Sequence, residues 1–341
     1  MPERESKLAT AVNLCDRRDA IAFGPRRGCF LLVTLWLAGA LGPVRSETAP
    51  TRNSLAPILK SNDVIAFVGG EDVVAMQQHG YVEALLARET ATKNLRFRNL
   101  GWEGDTVFEQ RRELNFPSWE QVLSRIGATV VIAQFGQAES LGGRDAIPQF
   151  RQAAVNLLGR LTGTNREVIV LAPTSFEQPS EMQLDLAAHN ETLRVYSDEL
   201  KRLCRINQWR FVESIGEPSS RRITRDGLHL NSQGHWRLAV LLAAALHVTK
   251  PARSSFVPAT SRFSNPEVER LRQAILAKNQ LWFDYWRPQN WAFLAGDRTE
   301  QPSSRDHRNP KIRWFPDELE QFLPLIEAKE REVKRLAEKL P

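Results

Sequence analysis

A chain of 341 residues, 42% hydrophobic and 25% charged, has the composition of an ordinary globular protein and the length for a full buried core. This excludes a wholly disordered, collagen-like or multi-spanning membrane chain. Lys and Arg number 46 against 40 Asp and Glu, a net charge of +6 with half of it in residues 1–46, and so weak a basic balance implies no nucleic-acid partner.

The N-terminus carries the compartment signal. Arg17, Arg18, Arg26 and Arg27 precede an apolar run from Cys29 to Leu41, followed by Pro43, Arg45 and Ser46. A run of about 13 residues matches a secretory signal and falls short of the 18 to 20 that span a bilayer. Residues 1–46 therefore read as a signal peptide cleaved near Ala40 or Ser46, with a retained N-terminal anchor as the alternative. The expected location is periplasmic or secreted, and the membrane enters only through this segment. Without residues 1–46, Cys204 is the only cysteine and no intramolecular disulfide forms.

From residue 63 onward, short β-rich apolar runs alternate with amphipathic stretches, the pattern of βα units around a parallel sheet. Five strands are predicted: Asp63 to Val68, Leu95 to Leu100, Thr129 to Gln134, Glu167 to Leu171 and Arg210 to Val212. Near-continuous apolar runs such as VVIA suit a sheet covered on both faces. The stripe Val73, Val74, Met76, Tyr81 and Leu85 predicts a helix over 73–87 with its apolar side in the core. A second helix is expected over 183–207, and Asn231 is a suitable N-cap for a third running through Trp236 to Leu246. Residues 60–248 thus form one α/β domain. The Pro, Ser, Thr and Arg of 249–265 read as a linker, and 266–341 as a helical extension with one helix from Pro266 to Phe283 and another from Pro316 to Leu340. Four of the nine tryptophans follow Trp236, so this extension packs on the domain.

In an open α/β sheet, ligands sit beyond the carboxyl ends of the strands. The segments there read Gly69-Gly70-Glu71-Asp72, then Asn99-Leu100-Gly101-Trp102-Glu103-Gly104-Asp105, then Gly136-Gln137-Ala138-Glu139, with Asp226-Gly227-Leu228-His229-Leu230-Asn231 before the last helix of the domain. In this order they resemble the blocks of the SGNH or GDSL hydrolase family of esterases and lipases. The branch they resemble most is known mainly from planctomycetes, with an altered serine block and an extension after the domain. The resemblance implies a three-layer α/β/α, flavodoxin-like fold with a mostly parallel five-stranded sheet and a helical C-terminal extension. It implies that Asp226 orients His229 as general base, and that Gly104 and Gly70 supply backbone oxyanion donors in a substrate site that Ala138 and Glu139 also line.

Two blocks depart from the family. Glu71 stands where the nucleophilic serine belongs, and a carboxylate is a poor acyl nucleophile because attack would form an anhydride. Ala138 stands where the family has the asparagine of the oxyanion hole. Three readings follow. In the first, an exported hydrolase cleaves an ester, such as an acetyl or acyl ester of a polysaccharide, with His229 activating water, Asp226 orienting His229 and Glu71 holding the water or the imidazolium. In the second, a catalytically inactive scaffold binds carbohydrate, with Trp282, Trp286, Arg287, Trp291 and Arg298 closing over a saccharide. In the third, Glu71, Asp226 and His229 bind a metal ion such as zinc. Ser140 and Ser175 are the nearest other hydroxyls. No Cys-x-x-Cys-His is present and the six histidines lack ligand spacing, so no cofactor is expected.

Overall fold

The computed structural model describes residues 58–178, 185–213, 215, 222–248 and 255–340. The expected signal or anchor segment, residues 1–46, lies outside them. In chain order the strands are β1 (Val64–Gly69), β2 (Arg96–Asn99), β3 (Val130–Gln134), β4 (Glu167–Leu171), β5 (Arg210–Val212), β6 (Phe256–Val257) and β7 (Arg262–Phe263). The α-helices are α1 (Glu71–His79), α2 (Tyr81–Leu85), α3 (Ala87–Lys93), α4 (Trp119–Arg125), α5 (Gln137–Ser140), α6 (Ile147–Thr162), α7 (Asn190–Asn207), α8 (Ser232–Ala245), α9 (Pro266–Trp286), α10 (Trp291–Leu294), α11 (Trp314–Glu320) and α12 (Phe322–Ala337).

Strands β1 to β5 form one sheet in the order β2-β1-β3-β4-β5, with every pair parallel. Side chains alternate across it, as the strand period of two requires. Ile65, Phe67, Val130, Ile132, Ile169 and Leu171 face one core, packed on α1, α2, α8 and α9. Ala66, Val68, Val131, Ala133, Val168 and Val170 face the other, packed on α4, α6 and α7. The resulting three layers are the expected α/β/α fold. Because both faces are covered, the central strands β1 and β3 are buried at every residue. From β1 the chain runs outward to β2 and then returns to place β3 on the other side of β1, so the crevice above β1 and β3 is the switch point where ligands bind.

The predicted helix over 73–87 is broken. Gly80 adopts a left-handed conformation (φ +65°), and a Cβ there would meet Ile275 and Leu276 of α9 at 3.3 and 3.1 Å. The close approach of a distant helix therefore imposes the turn between α1 and α2, which periodicity alone does not reveal. The helix expected over 316–340 likewise divides into α11 and α12. Of the helix expected over 183–207, residues 183 and 184 lie outside the described residues, and a 3₁₀ turn (Leu186–His189) precedes α7. Asn231 caps α8 as expected, its side chain accepting from Gly234 N at 3.0 Å.

The described part of the segment read as a linker forms the β6–β7 hairpin, an order that its mixed composition conceals. Tyr81 and Trp236 pack on Phe256 and Phe263. Asn265 then caps α9, accepting from Glu267 N and Val268 N, with Pro266 at the first helical position. Helix α9 lies against α1, α2 and the edge strand β2, protecting that edge. Its polar anchors are specific. Arg272 donates to His79 O (2.9 Å), Asn279 to Gln77 O (3.0 Å) and Trp282 Nε1 to Asn99 O (2.7 Å), while Lys278 forms a buried ion pair with Glu83. Trp282 and Trp286 are buried and Trp291 Nε1 donates to Leu114 O, so these rings anchor the extension, and the two buried ones present no open face to a sugar.

Candidate active site

Four segments meet above β1 and β3 around a cavity of about 200 Å³, lined by Glu71, Asp72, Gly104, Ala138, Thr174 and His229 among others. Gly69 ends β1 at φ +154°, where a Cβ would lie 2.5 Å from Gln134 O, so only glycine lets the chain turn this close to β3. Gly70 then caps α1, whose first turn begins with Glu71 and Asp72 at the positive end of the helix dipole.

The histidine side of the cavity is a braced hairpin. Thr224 pairs with Leu230 across it, and Arg225 N donates to His229 O (2.9 Å). Below it, the buried Glu177 accepts from Thr224 N (2.9 Å), Thr224 Oγ1 (2.5 Å) and Ile223 N (3.1 Å). Asp226 Oδ2 lies 2.7 Å from His229 Nδ1, and Oδ1 accepts from the backbone N–H groups of His229 (2.8 Å) and Leu228 (3.0 Å). Burial raises the pKa of Asp226, but the bonds from the His229 ring and from these amides outweigh it and hold the carboxylate well below its ordinary range. The charged carboxylate fixes the proton of a neutral imidazole on Nδ1. Nε2 makes no hydrogen bond among the described residues, leaving a base available on a cavity-lining ring.

Glu71 shares the cavity with His229, but its carboxylate pairs with Arg225, Oε1 to Nη2 at 3.1 Å; Arg225 Nε in turn lies 3.4 Å from Asp226 Oδ2. Glu71 is therefore linked to His229 through Arg225 and Asp226. Among the described residues no three His, Cys, Asp or Glu side chains gather to hold a metal ion. The trio Glu71, Asp226 and His229 does not form such a site, because Arg225 engages Glu71 and Asp226 engages the histidine.

Gly104 lines the cavity at φ +78°, with open space where a side chain would project. Ala138 presents a methyl group on the exposed wall. The Glu139 carboxylate is consumed by the backbone, accepting from Val107 N (2.7 Å) and Gly136 N (2.8 Å), and burial raises its pKa despite those bonds. It clamps two loops while also lining the cavity. Gln137 is also committed, donating to Thr174 O (2.9 Å) and Leu228 O (3.0 Å). Ser140 is buried and donates to Gln137 O (2.7 Å), and Ser175 lines a different cavity, so neither hydroxyl lines the cavity that holds His229.

Asp72 and Arg225 were not assigned roles by sequence reasoning. Asp72 accepts from Leu230 N (2.9 Å) and Thr174 Oγ1 (2.8 Å), tying α1 to the histidine hairpin and to the segment after β4. Burial raises its pKa, opposed by those bonds and by His229. The available signal was its place at the second position of the helix after β1. Beside Gly104, Trp102 is sandwiched by the guanidiniums of Arg112 (4.4 Å) and Arg287 (4.2 Å), and Arg112 grips the buried Asp105 through two bonds of 2.7 and 2.6 Å.

A flavodoxin-like sheet with an Asp–His pair at its switch point defines a hydrolase-type α/β domain. Residues 68–237 match the model of the GDSL-like lipase/acylhydrolase family, and over that domain the chain belongs to this family. Among solved structures it is similar to BT4096, a gut microbial diltiazem-metabolizing enzyme, with 11% identity and a TM-score of 0.52, covering 83% of this chain and 95% of that one. It is also similar to a GDSL-like lipase from Parabacteroides merdae (15% identity, TM-score 0.44, 56% and 98% covered) and to an acetylxylan esterase from Geobacillus stearothermophilus (15%, 0.42, 55% and 95%). No curated protein matches the chain in sequence.

Proposed function

We propose that the chain is an exported ester hydrolase in which His229 activates water directly, acting on a short acyl ester such as an acetyl group carried by a polysaccharide. The observation that carries this reading is the 2.7 Å contact between Asp226 and His229 Nδ1, with Nε2 uncommitted on the wall of a small cavity. Water attacks the acyl carbon as His229 Nε2 takes its proton. The bond to the leaving oxygen then breaks, that oxygen receives the proton from His229, and the acid and alcohol are released. Asp226 stabilises the imidazolium. The backbone N–H groups of Gly70 and Gly104 face the developing oxyanion, and Glu71, paired with Arg225, orients the water. Export rests on the apolar run after the arginines, and a shortened N-terminus on the protein recovered from its host tests it.

The activity is tested on the full chain with 4-nitrophenyl acetate, comparing the native protein with His229→Ala. Removing a general base costs roughly 10²- to 10⁴-fold in rate. Equal rates in the two proteins reject hydrolysis by His229 and favour the binding-module reading, for which the Glu71–Arg225 pair in the serine position is the supporting feature.

A further inference from the structure

A second cavity of about 410 Å³ opens beside the first, on the other side of Pro173. Consecutive residues serve the two: Thr174 lines the catalytic cavity and Ser175 the second. Ligand pockets commonly enclose roughly 300–1,000 Å³, so the catalytic cavity holds little more than an acyl group and its ester atoms, while the second is large enough for a ring.

Its lining joins an apolar floor to polar side chains. Phe176 and Leu193, both buried, form an apolar floor. Around it the side chains of Ser175, Arg194 and Ser197 make no hydrogen bond or ion pair among the described residues. Arg194 and Ser197 are three apart on α7 and so present neighbouring groups on one helix face. Glu177, the one carboxylate on the wall among the described residues, is satisfied by Ile223 and Thr224 and lies 3.9 Å from Arg222, which also lines the cavity. Among the described residues, the cavity therefore offers the hydroxyls of Ser175 and Ser197 and the guanidinium of Arg194 without protein partners, over an apolar floor.

We infer that this second cavity is the subsite for the alcohol part of the substrate, and that it takes a polyhydroxylated ring bearing a carboxylate, an acidic sugar. The inference rests on the hydrolase reading for its place in the reaction. The apolar floor receives the ring's C–H face, Ser175 and Ser197 bond its hydroxyls, and Arg194 pairs with its carboxylate through a charge-assisted contact that a neutral sugar lacks.

The test compares the full chain with Arg194→Ala and Arg194→Glu on O-acetylated trigalacturonate, O-acetylated xylotriose and 4-nitrophenyl acetate. Arg194 is exposed, and its replacement removes no side-chain bond among the described residues. For the native protein kcat/KM on the acidic trimer should exceed that on the neutral one at least tenfold. Arg194→Ala should collapse that preference through KM, and Arg194→Glu should reverse it. No preference in the native protein, or one that both variants retain, overturns the inference and leaves the hydrolase reading intact. If no protein turns over any ester, calorimetry with unacetylated trigalacturonate still decides: binding weakened tenfold or more by Arg194→Ala supports the subsite, whereas equal binding or no heat rejects it.

Discussion

The two sides of the cavity around His229 differ in how their polar groups are used. On the histidine side, Asp226, His229 and the hairpin that carries them are braced from below by Glu177 and from the side by Asp72. On the facing side, Glu71 is paired with Arg225 and Ala138 presents a methyl group, while Gly70 and Gly104 line the cavity. Under the proposed hydrolase reading, the proton-handling half is complete, and the half that meets the acyl group and stabilises its charge is reduced. Water as nucleophile suits that combination, because it needs a base and no side-chain hydroxyl.

The largest expected effect tests the complete side. Asp226→Asn keeps an oxygen for the backbone N–H groups of Leu228 and His229 but directs an amide N–H at His229 Nδ1, forcing the proton to Nε2 and removing the base. Ester turnover should fall by about 10²- to 10⁴-fold with little change in melting temperature. A variant with native rates shows that the tautomer of His229 does not matter and that the base lies elsewhere.

Next in size is a pH effect on the joint between the sides. His79 ends α1, the helix that begins with Glu71, and it packs on His235 of α8, the helix that follows His229, with ring centroids 4.4 Å apart. Both ring nitrogens of His235 are buried without hydrogen-bond partners among the described residues. Burial, together with Arg272, lowers the pKa of His79 to about 4, and burial, His79 and Arg225 hold that of His235 well below the ordinary imidazole range. An unfolded chain takes up these protons first, so stability is lost as pH falls from 6.5 towards 4, by on the order of 3 kcal/mol for His79 alone. Melting curves at pH 7.5 and 4.5 should show a smaller decline for His79→Phe, which cannot ionise. An equally steep decline in that variant assigns the acid sensitivity to other groups.

The fold was legible because strands covered on both faces leave long apolar runs. The five strands read from sequence match those observed within a residue or two at each end. Features imposed by distant contacts were not legible: the break at Gly80 exists because α9 presses on it, and the β6–β7 hairpin exists because Tyr81 and Trp236 receive its rings. In the site, the local Asp226–His229 pair was readable from a spacing of three. Glu139 was not, because its partners Val107 and Gly136 are set by how loops meet, and the roles of Asp72 and Arg225 depend in the same way on residues more than 150 positions away.

Asp72 links the two sides, and its loss should separate them moderately. Asp72→Ala leaves Leu230 N and Thr174 Oγ1 without their acceptor, at a cost of about 1–3 kcal/mol seen in denaturant midpoints. Asp72→Asn retains an acceptor for Leu230 and a donor for the Thr174 hydroxyl, so its stability should stay near native. If the two variants are equally destabilised, the charge of Asp72, and not its bonds, holds the loops together.

The smallest effect is a gain on the reduced side. Ala138 is exposed on the cavity wall, so asparagine fits there without displacing core atoms. Losing one oxyanion donor in a hydrolase costs roughly 10²- to 10³-fold, and Ala138→Asn should recover only part of that, about tenfold in kcat, because its amide is not held by neighbours evolved to aim it. A donor that meets charge only in the transition state raises kcat with little change in KM. A fall in KM at constant kcat would instead mean that the amide binds the ground-state ester. No change in either constant would place the oxyanion away from Ala138 and assign its stabilisation to Gly70 and Gly104 alone.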